Sequence, residues 1–294
     1  MLSKKNTIIT DKNQANFRNK IVMIISHKNQ YIFIQIPHTA STSIGDELCA
    51  NYDGKRILDK HSLYFEFEKI ATAKEKKYFV FACVRNPMNE VVSRYFKYKT
   101  DHMKTFTTPR YWQKNGGDGW VTNKQLSQYK WIAERNADFS DFFLKYYRVP
   151  YDSWINIEAD KYDYVMHFET IERDFSKVLE LLDLEQKRPL PVKNKTDGKD
   201  ENVFSYFTPK TQKRALFVFG SFMKKWQYSF PEDWNNNSIS WLSQIEFQLL
   251  GIIRKCYRKY LRKNRGGDLP LIFDTNPSRE TPWTQQKKSL DVSS

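Results

Sequence analysis

A short hydroxyl-rich segment, Thr39–Ser43, lies just after an apolar run, Tyr31–Ile36, with only the pair Pro37-His38 between them. Serines and threonines in a tight loop that leads into a helix bring backbone N–H groups and hydroxyls around one point, where phosphate-like anions bind. A second set consists of Arg85 and, eight residues later, Ser93. An arginine can make a forked contact with an oxyanion, and a serine can add a hydroxyl. Together the two sets predict a ligand with two anionic ends.

Two strand–loop–helix units are needed to position these residues. The first apolar run and a second one, Tyr78–Val84, are both typical of buried strands. We predict that a helix over Ile44–Asn51 follows the first strand. After the second strand, Asn86 can cap a helix that has Pro87 as its first residue and covers Met88–Tyr98. The tips of the two strands would then hold the two ends of one nucleotide.

The rest of the chain continues this alternation of strands and helices. Ile21–Ile25 predicts a short edge strand that forms a hairpin with the first main strand, and Tyr164–Phe168 predicts a further buried strand. Apolar residues at helical spacing predict helices over Gln125–Tyr147, over Ile171–Leu182 and from Thr208 through Trp226. The fold class expected from this order is α/β, with three layers and a mainly parallel sheet.

Both anion motifs resemble those of sulfotransferases. The loop after Ile36 is similar to their loop for the 5′-phosphosulfate end of 3′-phosphoadenosine 5′-phosphosulfate (PAPS), and Phe81–Tyr95 is similar to their 3′-phosphate motif. The order Ala-Ser-Thr-Ser is closest to the hexuronic-acid 2-O-sulfotransferases. The resemblance implies a P-loop-like strand–loop–helix, PAPS as the sulfuryl donor and no metal. The cofactor-binding residues that it implies are Pro37, His38, Thr39, Ala40, Ser41, Thr42, Ser43, Arg85 and Ser93.

The resemblance also implies two catalytic residues, His61 and His38. His61 is similar to the histidine that carbohydrate sulfotransferases often carry near the acceptor hydroxyl, where it would take the hydroxyl proton; the alternative is a solvent-facing loop histidine. His38 stands where the family has a lysine that steadies the bridging oxygen as the sulfuryl group leaves. Only a protonated imidazole could take over that function, and otherwise the loop N–H groups would have to suffice. Glu169 could orient groups of the site or simply cap the helix after it.

The charge of the chain favours anionic partners. Lys and Arg number 48 against 34 Asp and Glu, which gives a net charge of +14. The segment Lys99–Lys130 carries Tyr111, Trp112 and Trp120 among basic residues. These aromatic rings could stack on sugars, bind single-stranded nucleic acid, or simply pin the loop to the body of the protein. We expect the partner to be a carbohydrate or another acceptor with a hydroxyl group, and the positive charge of the chain would allow this acceptor to be anionic. We expect no stable nucleic-acid partner. The identity of the acceptor and the oligomeric state stay open.

Other classes of protein fit the sequence less well. A nucleotide phosphotransferase would carry a glycine-rich loop ending in Gly-Lys-Ser/Thr and an acidic Mg²⁺ ligand, and a metallohydrolase would carry clustered His, Cys or carboxylate ligands. The sequence has neither pattern, and its three cysteines are too scattered for a disulfide framework. The alternative that remains is a non-catalytic module on the same scaffold that binds anionic glycans or nucleic acid, and His38 is the residue that keeps it open.

Composition divides the chain into three parts. Residues 1–18 are a polar tail, residues 19–234 form the sulfotransferase-like domain, and residues 235–294 form a basic helical extension with a weakly ordered end. We expect the helix of the extension, Trp241–Arg265, to dock on the domain by its apolar face, although such a helix could also lie on a membrane or an anionic polymer. Since no run approaches the roughly 18 apolar residues of a membrane span and no signal peptide is evident, the expected location is cytoplasmic unless an anchor was removed.

Overall fold

One five-stranded sheet organises the protein. The computed structural model describes residues 21–59, 62–113, 119, 121–191, 196, 198–200, 202–234 and 238–257. The strands are β1 (Ile21–Ser26), β2 (Tyr31–Ile34), β3 (Lys55–Asp59), β4 (Phe79–Val84) and β5 (Tyr164–His167), in the order β3-β1-β2-β4-β5. β1 pairs antiparallel with β2 and β3, whereas β4 pairs parallel with β2 and β5. Four strands therefore share one direction, and the predicted mainly parallel sheet is confirmed.

Helices cover both faces of this sheet. The α-helices of the described residues are α1 (Ser41–Asn51), α2 (Tyr64–Glu68), α3 (Pro87–Lys99), α4 (Asn123–Arg135), α5 (Phe139–Tyr146), α6 (Ile171–Leu181), α7 (Pro209–Lys225) and α8 (Trp241–Cys256). Along β2, Tyr31 and Phe33 pack in one buried cluster with α1 and α6, while Ile32 and Ile34 pack in a second cluster with α2 and Phe222 of α7. This alternation makes the three predicted layers, since successive strand residues point to opposite faces.

A third core, rich in aromatic rings, fixes the helix that follows β4. Met88, Val91 and Val92 of α3 are fully buried against α4, α5 and α7. Within this core the rings of Phe143 and Phe219 stack with centroids 5.5 Å apart. Because α3 is held along its whole buried face, the residues on its opposite face keep a fixed position at the tip of β4.

Three local expectations need correction. α1 begins at Ser41 rather than Ile44, because Ala40 is left-handed (φ 56°) and its carbonyl accepts the N–H of Ile44. β1 is not an edge strand, since the unpredicted β3 pairs with its outer side. The helix predicted over Gln125–Tyr147 is two helices, because Asn136 ends α4 in a left-handed conformation (φ 45°). The next helix, α5, has its own N-cap, Asp138, whose carboxylate accepts the N–H of Asp141 at 2.8 Å.

The helix of the extension docks on the domain by the side that carries Ser243, Phe247 and Arg254. Ser243 Oγ donates to the carbonyl of Phe217 at 2.6 Å, and the buried Arg254 pairs with Asp152 at 2.7 Å. Large apolar residues of α8 are exposed instead, so the expectation that the apolar face docks is wrong for the described part of this helix. The predicted continuation to Arg265, the end of the chain and the tail 1–18 lie outside the described residues. None of the described helices combines the length and apolar character needed to cross a membrane.

Candidate active site

The loop between β2 and α1 has the backbone geometry of an anion cradle. His38 (φ 66°) and Ala40 (φ 56°) are both left-handed, on either side of Thr39. Such alternation turns successive N–H groups to one side, and the first N–H groups of a helix, here from Ser41 onward, have no acceptor within the helix. Side chains stabilise the loop from within, since Gln35 Nε2 donates to the carbonyl of Ser41 at 3.1 Å.

The predicted loop residues differ in what they expose. Thr39 Oγ1 donates to the carbonyl of Ile36 at 2.9 Å, so this hydroxyl is already used as a donor within the loop. Ser41 and Ser43 are buried, whereas Thr42 is exposed. Within the hydroxyl-rich segment, an anion would therefore meet mainly backbone N–H groups and the Thr42 hydroxyl.

Arg85 joins this loop to the second motif. It follows β4, and its Nη2 donates to Asn89 Oδ1 at 2.8 Å and to Ser93 Oγ at 2.9 Å. Its Nη1 donates to the carbonyl of His38 at 3.2 Å, and its guanidinium lies 4.3 Å from the centre of the Phe168 ring. The structure thus brings together Arg85, Ser93 and the backbone of the β2–α1 loop, as expected from adjacent parallel strand ends.

Positive charge is concentrated around Arg85. Burial lowers the pKa of Arg85 and, together with Arg85 itself, that of Lys97, while Lys199 Nζ donates to Asn89 Oδ1 at 2.8 Å. The buried Nε of Arg85 finds no acceptor among the described residues. Because a desolvated cation without full pairing is costly, an anionic ligand here would stabilise the site.

Glu169 fixes the turn that carries Arg85. One carboxylate oxygen accepts the N–H of Asn86 at 3.0 Å, and the other accepts the hydroxyl of Tyr228 at 2.8 Å. Burial, with Glu169 beside it, raises the pKa of Tyr228, so this hydroxyl stays protonated and donates. Of the two roles left open for Glu169, the contacts match the orienting one.

A buried carboxylate, Glu90, lies beneath the same region. Arg94 donates to it at 2.6 Å, and the hydroxyl of Tyr151 donates at 3.0 Å. Burial opposes its ionisation, but Arg94, then His38 and then Arg85 hold the pKa of Glu90 below its ordinary value. Glu90 therefore places a negative charge within electrostatic reach of the exposed His38.

The predicted base His61 lies outside the described residues, but the chain after it is well anchored. Glu158 is buried, and its two carboxylate oxygens accept the N–H groups of Tyr64 and Phe65 at 2.5 and 2.7 Å. Burial raises the pKa of Glu158 to about 7, although these two amides act in the opposite direction. Glu158 thus holds the start of α2, three residues beyond His61.

Sequence reasoning missed several residues of this site. Asn89, Ser93 and Lys97 follow Arg85 at intervals of four residues, from the turn before α3 into the helix, and this spacing could have revealed Asn89 and Lys97. Lys199 comes from a distant part of the chain and had no such signal.

Other predicted site residues do not join the site or cannot be placed. Tyr111 and Trp112 pack partly buried on the aromatic core, as a pinned loop would. Trp120 lies outside the described residues.

Comparison with known proteins identifies one family. A model of the sulfotransferase family matches residues 22–220, which is more than half of the 294 residues and includes both strand–loop–helix units. No curated protein and no solved structure matches the chain.

Proposed function

Because the chain belongs to the sulfotransferase family, whose members normally use PAPS as donor, we propose that it moves a sulfuryl group from PAPS to a hydroxyl of a carbohydrate or related acceptor. The observation that carries this proposal is the position of Arg85. Its guanidinium is held by Ser93 and Asn89 and contacts the loop after β2. One nucleotide could therefore reach both strand ends at once.

The residues present fit such a donor. In our proposal the 3′-phosphate meets Arg85 and Ser93, with the cations Lys97 and Lys199 nearby, and the phosphosulfate end meets Pro37–Ser43. The buried Nε of the half-buried Arg85, which has no acceptor among the described residues, supports the first half of this assignment. The left-handed residues and the start of α1 support the second half. The described residues contain no group of three or more His, Cys, Asp or Glu arranged to hold a metal ion.

The reaction follows from these positions. The acceptor oxygen forms a bond to sulfur as the bond between sulfur and the bridging oxygen of the 5′-phosphate breaks, and His61 takes the acceptor proton. Negative charge then grows on the bridging oxygen. The N–H groups of the β2–α1 loop and the start of α1 would stabilise this charge, and a protonated His38 would add to them. We assign His38 the function of the family's lysine because it stands at the corresponding position of the loop.

A carbohydrate acceptor is the finer part of the proposal. The order Ala40-Ser41-Thr42-Ser43 supports it through its likeness to the hexuronic-acid enzymes, and the net charge of +14 suits an anionic polysaccharide. The exposed Lys104 and Arg110 add cations to the segment after α3.

Two measurements test the proposal. Titration calorimetry with adenosine 3′,5′-bisphosphate should give micromolar binding without Mg²⁺. Transfer of radiolabelled sulfate from PAPS should then be followed with unsulfated uronic-acid polysaccharides, a neutral polysaccharide and a small alcohol as acceptors. Absence of nucleotide binding would contradict the donor assignment. Nucleotide binding with no transfer to any of these acceptors would favour the non-catalytic module. Transfer to the alcohol alone would contradict the proposal that the acceptor is a carbohydrate.

A further inference from the structure

Helix α8 carries an apolar stripe that faces away from the domain. The exposed large residues are Trp241, Leu242, Ile245, Leu249, Ile252 and Ile253. At 3.6 residues per turn these positions fall within an arc of roughly 120°. Ser243 and Arg254, which bind the domain, lie on the opposite side of the helix. The docking contacts therefore fix the stripe toward the outside.

The stripe is large for an exposed surface. A half-exposed large side chain presents about 100 Å², so six of them present on the order of 600 Å², which is the upper end of the largest apolar patch on typical monomers. Exposed patches of this size usually bind a partner. The chemistry of that partner must be read from what surrounds the stripe.

The end of the stripe is strongly basic. Between Glu246 and Asp268 the sequence has no acidic residue. The cations in this interval are Arg254, Lys255, Arg258, Lys259, Arg262, Lys263 and Arg265. Two of them are paired with the domain, Arg254 with Asp152 at 2.7 Å and Lys255 with Asp160 at 3.6 Å. The five that follow in the sequence add a dense positive charge directly after the apolar stripe.

We propose that the exposed stripe of α8 is a docking surface for an anionic lipid bilayer, which the lysines and arginines that follow in the sequence would attract electrostatically. An apolar stripe with tryptophan and leucine beside clustered lysine and arginine is the pattern of helices that lie in the membrane interface. A second copy of the chain could cover the stripe, but it would bring two basic segments together. A nucleic acid could neutralise the cations, but it would leave the stripe in water. An anionic bilayer satisfies both features.

Vesicle flotation with the full chain tests this proposal. The vesicles contain phosphatidylcholine alone, or phosphatidylcholine and phosphatidylglycerol at three to one. The variant is Leu249→Glu, at a residue 56% exposed on the stripe, and the matched control is Leu181→Glu, at a residue 49% exposed on α6. The thermal melting temperature of each variant, compared with that of the wild type, shows that the domain is folded.

The wild type should bind the anionic vesicles, more weakly in 0.5 M salt, and hardly bind the neutral ones. Leu249→Glu should lower the bound fraction at least about tenfold, and Leu181→Glu should leave it unchanged. Three results would each overturn the proposal: no binding to anionic vesicles, equal binding to neutral vesicles, or full binding by Leu249→Glu. Loss of concentration-dependent self-association in Leu249→Glu, with vesicle binding unchanged, would assign the stripe to a second copy instead.

Discussion

Replacing Arg85 with alanine gives the most direct test of how the two strand ends share one ligand. The guanidinium is held by three donated hydrogen bonds of 2.8, 2.9 and 3.2 Å and by the Phe168 ring, so little side-chain freedom is lost when a phosphate binds. Loss of a charge-assisted contact costs about 1.5 to 3 kcal/mol, which corresponds to roughly a 10- to 150-fold increase in Kd. Lys97 and Lys199 remain in the variant and limit the loss.

The assay is calorimetry with two nucleotides that differ in one group. Affinity for adenosine 3′,5′-bisphosphate should fall by the factor above, whereas affinity for adenosine 5′-phosphate should hardly change, because only the former has a 3′-phosphate. Arg135→Ala removes an arginine that is 57% exposed on α4 and serves as the control for net charge. Equal losses for both nucleotides would refute the 3′-phosphate assignment, provided that the melting temperature of the variant shows an intact fold.

Four further predictions concern the other parts of the site and its supports. His61→Ala should lower turnover about a hundredfold or more with nucleotide affinity unchanged, and normal turnover on the true acceptor would place the base elsewhere. If His38 supplies charge to the bridging oxygen, the activity of the wild type should fall as pH rises, and His38→Lys should keep its activity to higher pH. Full activity of both the wild type and His38→Ala at about pH 9, where an imidazole is neutral, would contradict this role. Arg254→Ala removes the arginine that pairs with the buried carboxylate of Asp152, leaves that carboxylate only the hydrogen bonds from Ser153 and Asn156, and should lower the free energy of unfolding in urea by about 3 kcal/mol. Lys255→Ala breaks an exposed pair and should change it by less than about 1 kcal/mol. Burial raises the pKa of Glu158 from 4.5 to about 7, so the folded protein holds this proton more tightly than the unfolded chain, and the resulting stabilisation is full below pH 4.5 and is lost as pH rises through 7. Relative to Glu158→Gln, the free energy of unfolding of the wild type should therefore fall by at most about 3 kcal/mol between pH 4.5 and 8. A difference between the two proteins that stays constant over this range would contradict the prediction.

The two strand–loop–helix units were predictable because their signals are local. β4 is a continuous apolar run, and Asn86 caps α3 in the predicted way, since its side chain accepts the N–H of Met88 at 2.9 Å. β3 has the sequence Lys-Arg-Ile-Leu-Asp, in which apolar residues are few. Its backbone pairing with β1, rather than its own residue pattern, therefore makes this segment a strand. The break at Asn136 depends on one left-handed residue, which asparagine tolerates better than most.

The supports of the site were not predictable, because they join residues far apart in the chain. Lys199 reaches Asn89 across 110 positions, and Glu169 reaches Asn86 across 83. The direction in which α8 faces depends in the same way on Arg254 and Asp152, which are 102 positions apart. Periodicity in the sequence shows that a helix has an apolar face but not whether that face or the opposite one meets the domain.

The contacts of His38 separate its backbone from its side chain, and this bears on the departure from the family's lysine. Its carbonyl accepts from Arg85, and its left-handed conformation shapes the anion cradle, neither of which requires an imidazole. Its ring, in contrast, lies where Glu90 exerts a negative field. A change of side chain at position 38 should therefore alter turnover far more than nucleotide affinity. A His38→Ala variant that loses nucleotide affinity and turnover in equal measure would show that the ring holds the cradle itself, and the argument for a charge on the bridging oxygen would fail.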